Sequence, residues 1–287
     1  MSPRRGFTLV EVLIALVVMG VVTGAIYRLL NTNQRLAVAQ AEQTSLQSNV
    51  RTGSLVVPSE LRELNTWLGA PVGVGGDRND IIVAEPDGIE YRAMRGLGFV
   101  CEAPGAGATE LHLAESSWTG LRNPDAARDD IYVFIDDDPD EDDDDTWLRV
   151  DVTGATRTTD ACGANPGFEL TAAAMPDVPL NTPVRLYEHM ELRLYDDGGE
   201  WWLGARSVNA EPDLQPVLGP LTLNGFGLEY LDSNGNDASG DLSSIKAVRL
   251  TVQGLTDDLV RRGGTGAVGH PQETLVTEVL LRNSIRP

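Results

Sequence analysis

Apolar positions follow two different periods along the chain. From Phe7 to Leu30 nearly every position is apolar, interrupted by Glu11, Arg28 and a few Thr, Gly and Tyr. Wound as a helix, that run spans about 36 Å, enough to cross a bilayer. Beyond Leu30 the apolar residues thin to a stripe. Leu36, Ala39, Leu46, Val50, Val57, Leu61, Leu64 and Leu68 fall mostly at three-and-four spacing, with Gln43 and Gly53/Ser54 as gaps. This predicts an amphipathic continuation of the helix over 31–68, with one face against a folded part. Pro58 is expected to kink or interrupt it, and Ser59 to cap a short helix after it.

Gly and Pro content makes 69–77 (GAPVGVGGD) a loop. Its glycines lack the Lys-Ser/Thr of a phosphate-binding loop and the helix that follows a dinucleotide fingerprint. The period then shortens to that of strands. The runs are Ile81–Ala84, Ile89–Met94, Gly98–Cys101, Leu111–Ala114, Ile131–Ile135 and Trp147–Val152, separated by turn residues. A second series begins near Pro183. Glu188–Tyr195 alternates apolar with polar, and Asp196-Asp197-Gly198-Gly199 leads into EWWLGARSV, a hairpin signal. LNGFGLEYL, IKAVRLTVQ and ETLVTEVLL add three strands. The expected fold is α+β: one long N-terminal helix packed on a mostly antiparallel sheet. The β part divides into a first block, 69–182, and a second, 183–287.

Charge refines this picture. Lys and Arg number 22 against 43 Asp and Glu, a net charge of −21. That disfavours nucleic acid as a direct partner, because binding it needs basic surface to displace counterions. Arg4 and Arg5 precede the apolar run, while Arg28 and Arg35 follow its bulk. The positive-inside rule then keeps the N-terminus cytoplasmic and exports the rest. A secretory signal peptide would share the basic start but not an acid early in the apolar run. Cys101 and Cys162, the only cysteines, fall on the exported side, where an even pair reads as one disulfide.

Glu11 is the anomaly. A carboxylate at a bilayer's centre costs roughly 2.5–3.5 kcal/mol, so it calls for a partner. The stretch Gly6-Phe7-Thr8-Leu9-Val10-Glu11-Val12-Leu13-Ile14-Ala15 resembles the class III signal of type IV prepilins and type II secretion pseudopilins. The resemblance implies that a prepilin peptidase removes residues 1–6 by cutting between Gly6 and Phe7, and that the new Phe7 amine is methylated. Glu11 then lies about 6 Å along the axis from that amine. In a staggered bundle it would neutralise the ammonium of a neighbouring subunit, favouring one axial register because unpaired charge in hydrocarbon is costly. Minor subunits at a filament's tip can lack this acid, so Glu11 implies a position with a neighbour on that side.

The second block carries a weaker resemblance. A hairpin, GPLTLNGFGLEYLDSNGND, DLSSIKAVRLTVQG and a closing VTEVLLRNS are similar in order to PilW-like minor pilins and to J-type minor pseudopilins of type II secretion. The first block departs from that pattern and reads as an insertion. The implied role is that of a minor pilin-like structural subunit of a filament, with a minor pseudopilin as the alternative. The implied partners are the prepilin peptidase, other pilin or pseudopilin subunits and an inner-membrane assembly platform. The chain would be single-pass in the inner membrane before assembly, then in a pilus at the cell surface or a periplasmic pseudopilus. A rival of another class is a membrane-anchored exported enzyme or carbohydrate-binding β domain.

Two acidic segments are candidate calcium sites, since clustered carboxylates suit that ion. One is the run Asp136–Asp145, with Asp136 and Asp138 as candidate ligands; a solvated loop is the competing account. The other is Asp232-Ser233-Asn234-Gly235-Asn236-Asp237, with Asp232, Asn234, Asn236 and Asp237 as candidates and a plain turn as the simpler reading. The pattern shows no catalytic constellation. His112, His189 and His270 fall in no zinc spacing, and no Gly-x-Ser-x-Gly occurs. Trp201 and Trp202 are adjacent on a strand, so one is expected in the core and the other exposed.

Overall fold

A computed structural model describes residues 8–66, 79–136, 146–261 and 268–282. Gly6, Phe7, Leu68, the 69–77 loop and Asp138, with the rest of 137–145, lie outside those residues. Helix α1 runs Leu9–Arg62. It passes through Pro58 and ends four residues later, contrary to the expected interruption. A proline there leaves the helix one backbone N–H short close to its C-terminal end. Ser59 starts no new helix: its hydroxyl donates to the Val56 carbonyl at 2.6 Å, within the preceding turn.

The strands are β1 (Ile81–Glu85), β2 (Gly88–Glu102), β3 (Glu110–Ala114), β4 (Thr119–Gly120), β5 (Asp129–Ile135), β6 (Thr146–Val150), β7 (Val152–Cys162) and β8 (Asn165–Ala172). They continue with β9 (Pro183–Asp197), β10 (Glu200–Ser207), β11 (Gln215–Leu231), β12 (Ala247–Leu255), β13 (Val260–Arg261), β14 (Val268–Gly269) and β15 (Gln272–Leu280). Among the described residues one large sheet follows the order β15-β12-β11-β10-β9-β2-β3-β8-β7, with β1 and β4 on β2, β5 on β9, and β6 on β5. The architecture is α+β.

Two short predicted strands, Ile89–Met94 and Gly98–Cys101, are one long strand, β2. It pairs antiparallel with β9 from Gly88↔Arg193 to Phe99↔Pro183, its register shifting between Met94 and Gly96. The first and second blocks therefore share one sheet. The run Trp147–Val152 is divided between β6 and β7.

The chain falls into two compact units, one of Met1–Ser48 with Thr256–Gln272, the other of Asn49–Leu255 with Glu273–Pro287. In the first unit the Asp258 N–H donates to Glu42 at 3.3 Å, and β13 pairs with β14. In the second, the last turns of α1 lie on the sheet. Val50, Val57 and Leu61 are buried, Asn49 donates its side-chain amide to the Gly219 carbonyl at 3.1 Å, and Glu60 pairs with Arg95 at 3.1 Å. After the helix, the Asn65 and Asp80 segments bind each other: Asn65 N–H to the Asp80 carboxylate, and Asp80 N–H to the Asn65 carbonyl, both at 2.8 Å.

A further core gathers buried residues of several strands. Leu111 and Leu113 of β3, Phe168 and Leu170 of β8, Ile131 and Val133 of β5, and Val184 and Leu186 of β9 are buried in one cluster. Cys101 on β2 and Cys162 on β7 form the predicted disulfide at its margin, with Cα atoms 5.5 Å apart.

Candidate assembly site at the helix N-terminus

The start of α1 is a capping box. Thr8 stands just before the helix, and its carbonyl accepts the first helical bond, from Val12 N–H at 3.3 Å. The Glu11 N–H donates to the Thr8 hydroxyl oxygen at 3.3 Å. In return, Glu11 Oε2 accepts from the Thr8 N–H at 2.9 Å and from the Thr8 hydroxyl at 3.0 Å. This reciprocal pairing satisfies two of the donors that every helix N-terminus leaves open. The sequence signal was present in Thr8-x-x-Glu11, but an intramembrane acid invites a search for a partner on another chain, not on its own.

Around the box, Leu9, Val10, Val12, Leu13, Ile14 and Leu16 are exposed, as are Val17 to Met19 and the apolar residues on to Leu30. An apolar helix with no buried face is unstable in water. α1 is long and apolar enough to cross a membrane, and none of its most apolar window is buried. Hydrocarbon, or the apolar faces of other helices, is what such a surface requires. Glu11 is thus a single carboxylate in an otherwise apolar cylinder.

The prokaryotic N-terminal methylation motif matches residues 1–27. The chain carries a prepilin-type N-terminal motif. The match supports a likeness to type IV prepilins and pseudopilins, and it covers the leader and about the first third of α1, not the sheet. No curated protein and no solved structure matches the chain. For a prepilin-type chain the motif implies processing by a prepilin peptidase, membrane anchoring through the apolar helix, and assembly with other pilins in a pilus or pseudopilus.

Elsewhere the candidate residues have local partners. Asp232 Oδ1 accepts the N–H groups of Asn234 and Asn236, each at 2.8 Å, and Oδ2 accepts from the Asn236 amide at 3.2 Å. Those bonds hold its carboxyl below the usual range and close the loop locally. Asp237 likewise accepts from Ser239 N–H at 3.0 Å. Among the described residues no three His, Cys, Asp or Glu gather as a metal site. The histidines also stay apart: His112 pairs with Glu102 at 2.8 Å, His189 with Glu90 at 3.0 Å, and His270 meets the Thr256 carbonyl at 2.7 Å.

The tryptophan expectation is corrected. Trp201 and Trp202 are both half-buried, so neither is a core residue and neither is fully exposed. The Trp202 ring occupies the space that a Cβ on Gly219 of β11 would need. A glycine on the neighbouring strand has therefore sheltered the side chain that alternation alone would expose.

Proposed function

We propose that this prepilin-type chain is a minor pilin-like structural subunit, matured by cleavage after Gly6 and carried into a filament by α1. The observation that supports it is Glu11, held at the N-terminal turn of an exposed apolar helix within the methylation motif. Cleavage leaves an ammonium on Phe7, one turn from Glu11. In the assembled bundle, Glu11 of one subunit neutralises that ammonium on the next. The pairing favours one axial register, because slipping by any other distance strands both charges in hydrocarbon. The β-rich head lies on the exported side, where a disulfide persists. The contribution is structural, in building or priming the filament, and the energy for assembly comes from other proteins.

Two measurements test this. Mass spectrometry of the N-terminal peptide from native cells should find a methylated Phe7; a start at Met1, or one beyond residue 22, overturns the reading. The ratio of sheared-filament to membrane-pool protein should fall for Glu11→Ala. Membrane insertion should be unimpaired, because an acid has left hydrocarbon. A Glu11→Ala chain that enters filaments like the wild type removes Glu11 as an assembly contact.

A further inference from the structure

We propose that the outer face of β2, β9, β5 and β6 binds an acidic polysaccharide, with Arg149 and Arg185 taking its carboxylates and the rings of Phe134 and Trp147 packing a sugar. This goes beyond the filament role and does not depend on it. The strand registers put Leu97, Arg185, Tyr132 and Arg149 in one row across the sheet. In the next row Phe99 faces Pro183, and Phe134 faces Trp147. Cross-strand partners show their side chains on one face. The alternate residues Val133, Val150 and Val184 are buried in the core beneath, so the two rows lie on the side away from it. Arg149 and Phe99 are exposed, and Arg185, Phe134 and Trp147 are half-buried.

Charge singles out this face. The chain carries a net −21, and Arg95, Arg157, Arg193, Arg206 and Arg249 elsewhere on the sheet each hold a carboxylate. Arg149 and Arg185, on either side of Tyr132, pair with none among the described residues. Asp130, in the adjoining row, accepts instead from the Val152 N–H at 3.0 Å. Arg185 is also held in place. Its guanidinium lies over the Trp147 ring at 5.5 Å and its Nη2 donates to the Met94 sulfur at 3.4 Å, while Phe134 meets Trp147 edge-on at 5.3 Å. A guanidinium so restrained keeps its planar fork of donors ordered, and that fork matches a carboxylate. β9 and β6 are two strand spacings apart, about 10 Å, so a polymer with repeated acids can engage both arginines and gain from their linkage.

The chemistry favours a sugar over a peptide or a nucleic acid. β2, β9 and β5 have ladder partners on both sides, so no peptide strand can add to their backbones. Two guanidiniums in a strongly acidic chain are no basic track for phosphates. What the face offers is aromatic surface for the C–H face of a pyranose, with donors beside it for a uronate carboxylate.

The test titrates the full-length protein in detergent with polygalacturonate at physiological ionic strength, where screening acts over about 8 Å. The chain's overall charge opposes non-specific uptake of any polyanion, so binding has to be local. Polygalacturonate should bind saturably, and neutral dextran should not. Arg149→Gln with Arg185→Gln should weaken binding roughly tenfold or more, and Trp147→Leu, which keeps apolar bulk without the ring, should weaken it too. The arginine pair holds no carboxylate, so its removal should leave circular dichroism and the unfolding midpoint unchanged. Failure of polygalacturonate to bind, or undiminished binding by the double arginine variant, overturns the proposal. Poly-glutamate or a single-stranded oligodeoxynucleotide bound as tightly as polygalacturonate overturns it as well, and assigns the face to an acidic peptide or to nucleic acid.

Discussion

Gly53 of α1 approaches Leu218 of β11 so closely that a Cβ on the glycine would overlap the leucine side chain. A glycine inside a helix costs about 1 kcal/mol relative to alanine, and here that local loss is offset by a helix seated directly on the sheet. Leu218 is buried, so a displaced side chain has to find space inside the core. Gly53→Ala should therefore lower the unfolding midpoint despite its better helix propensity. Overpacking typically costs 1–3 kcal/mol, so the net effect should be a loss of about 1 kcal/mol, read by urea unfolding of the full chain in detergent. A gain in stability would show that the helix can lift from Leu218 at no cost.

The disulfide acts on a different scale. Cys101 and Cys162 are 61 residues apart in sequence. Closing a loop of that size removes enough denatured-state entropy to stabilise the fold by about 4 kcal/mol, with strain or residual structure reducing the figure. Cys101→Ser with Cys162→Ser should lower the unfolding midpoint strongly, and reducing the wild type should reproduce the shift. An unchanged midpoint in both would mean that β2 and β7 are held by the sheet alone.

Acid should unfold the head through Glu188. This buried carboxylate on β9 takes Arg95 at 2.9 Å, Arg122 at 3.3 Å and Arg128 at 3.4 Å. Its burial alone would raise its pKa, but the bond to Arg95 and the charges of Arg95 and Arg122 outweigh that and hold it below the usual carboxylate range. Glu191, between Arg193 and Arg206, is depressed in the same way against its own burial. A carboxyl depressed in the folded state contributes its full stability above the ordinary carboxylate range. The contribution is lost as pH falls through the depressed value. Asp130 works in the opposite sense, since burial raises it. Melting temperature should thus hold steady through mild acid and drop steeply only below about pH 4. Glu188→Gln should flatten that drop and cost on the order of 3 kcal/mol at neutral pH, because three arginines lose a shared partner. A variant with an unchanged acid limb would assign the titration to other groups.

The long helix was legible in a continuous apolar run and the stripe of period 3.6 that follows it, β5 in a short apolar run, and β9 and β12 in a period of 2. β7 was not. Val-Thr-Gly-Ala-Thr-Arg-Thr-Thr-Asp-Ala-Cys is polar and largely exposed, and only its pairing with β8 makes it a strand. β8, too short and mixed to show alternation, is fixed by β3 on its other side. At the candidate assembly site, the proposed cleavage junction and Glu11 could be read from the motif. The tie from Thr8 to Glu11 followed from a three-residue spacing that was equally visible. Contacts between distant glycines and side chains were not legible, because a glycine's reason for being there lies on another strand.

Trp118 supplies the sharpest case and the last prediction. Its half-buried ring lies where Cβ atoms on Gly96 of β2 and Gly120 of β4 would have to stand, and it would crowd one on Gly98 of β2. It also meets Phe168 edge-on at 5.3 Å, and its Nε1–H donates to the Arg122 carbonyl at 3.2 Å. Three glycines thus form the floor of a slot for one indole. Gly96→Ala should displace the ring and cost about 1–3 kcal/mol as overpacking, with a shift in tryptophan emission as the indole gains water. Trp118→Ala should cost about 3 kcal/mol by emptying the slot. The two losses should not add. With the indole gone, a methyl at position 96 has space to occupy, so the double variant should be no less stable than Trp118→Ala alone. Additive losses would mean that Gly96 is needed for the register shift of β2 beside it and not for the ring.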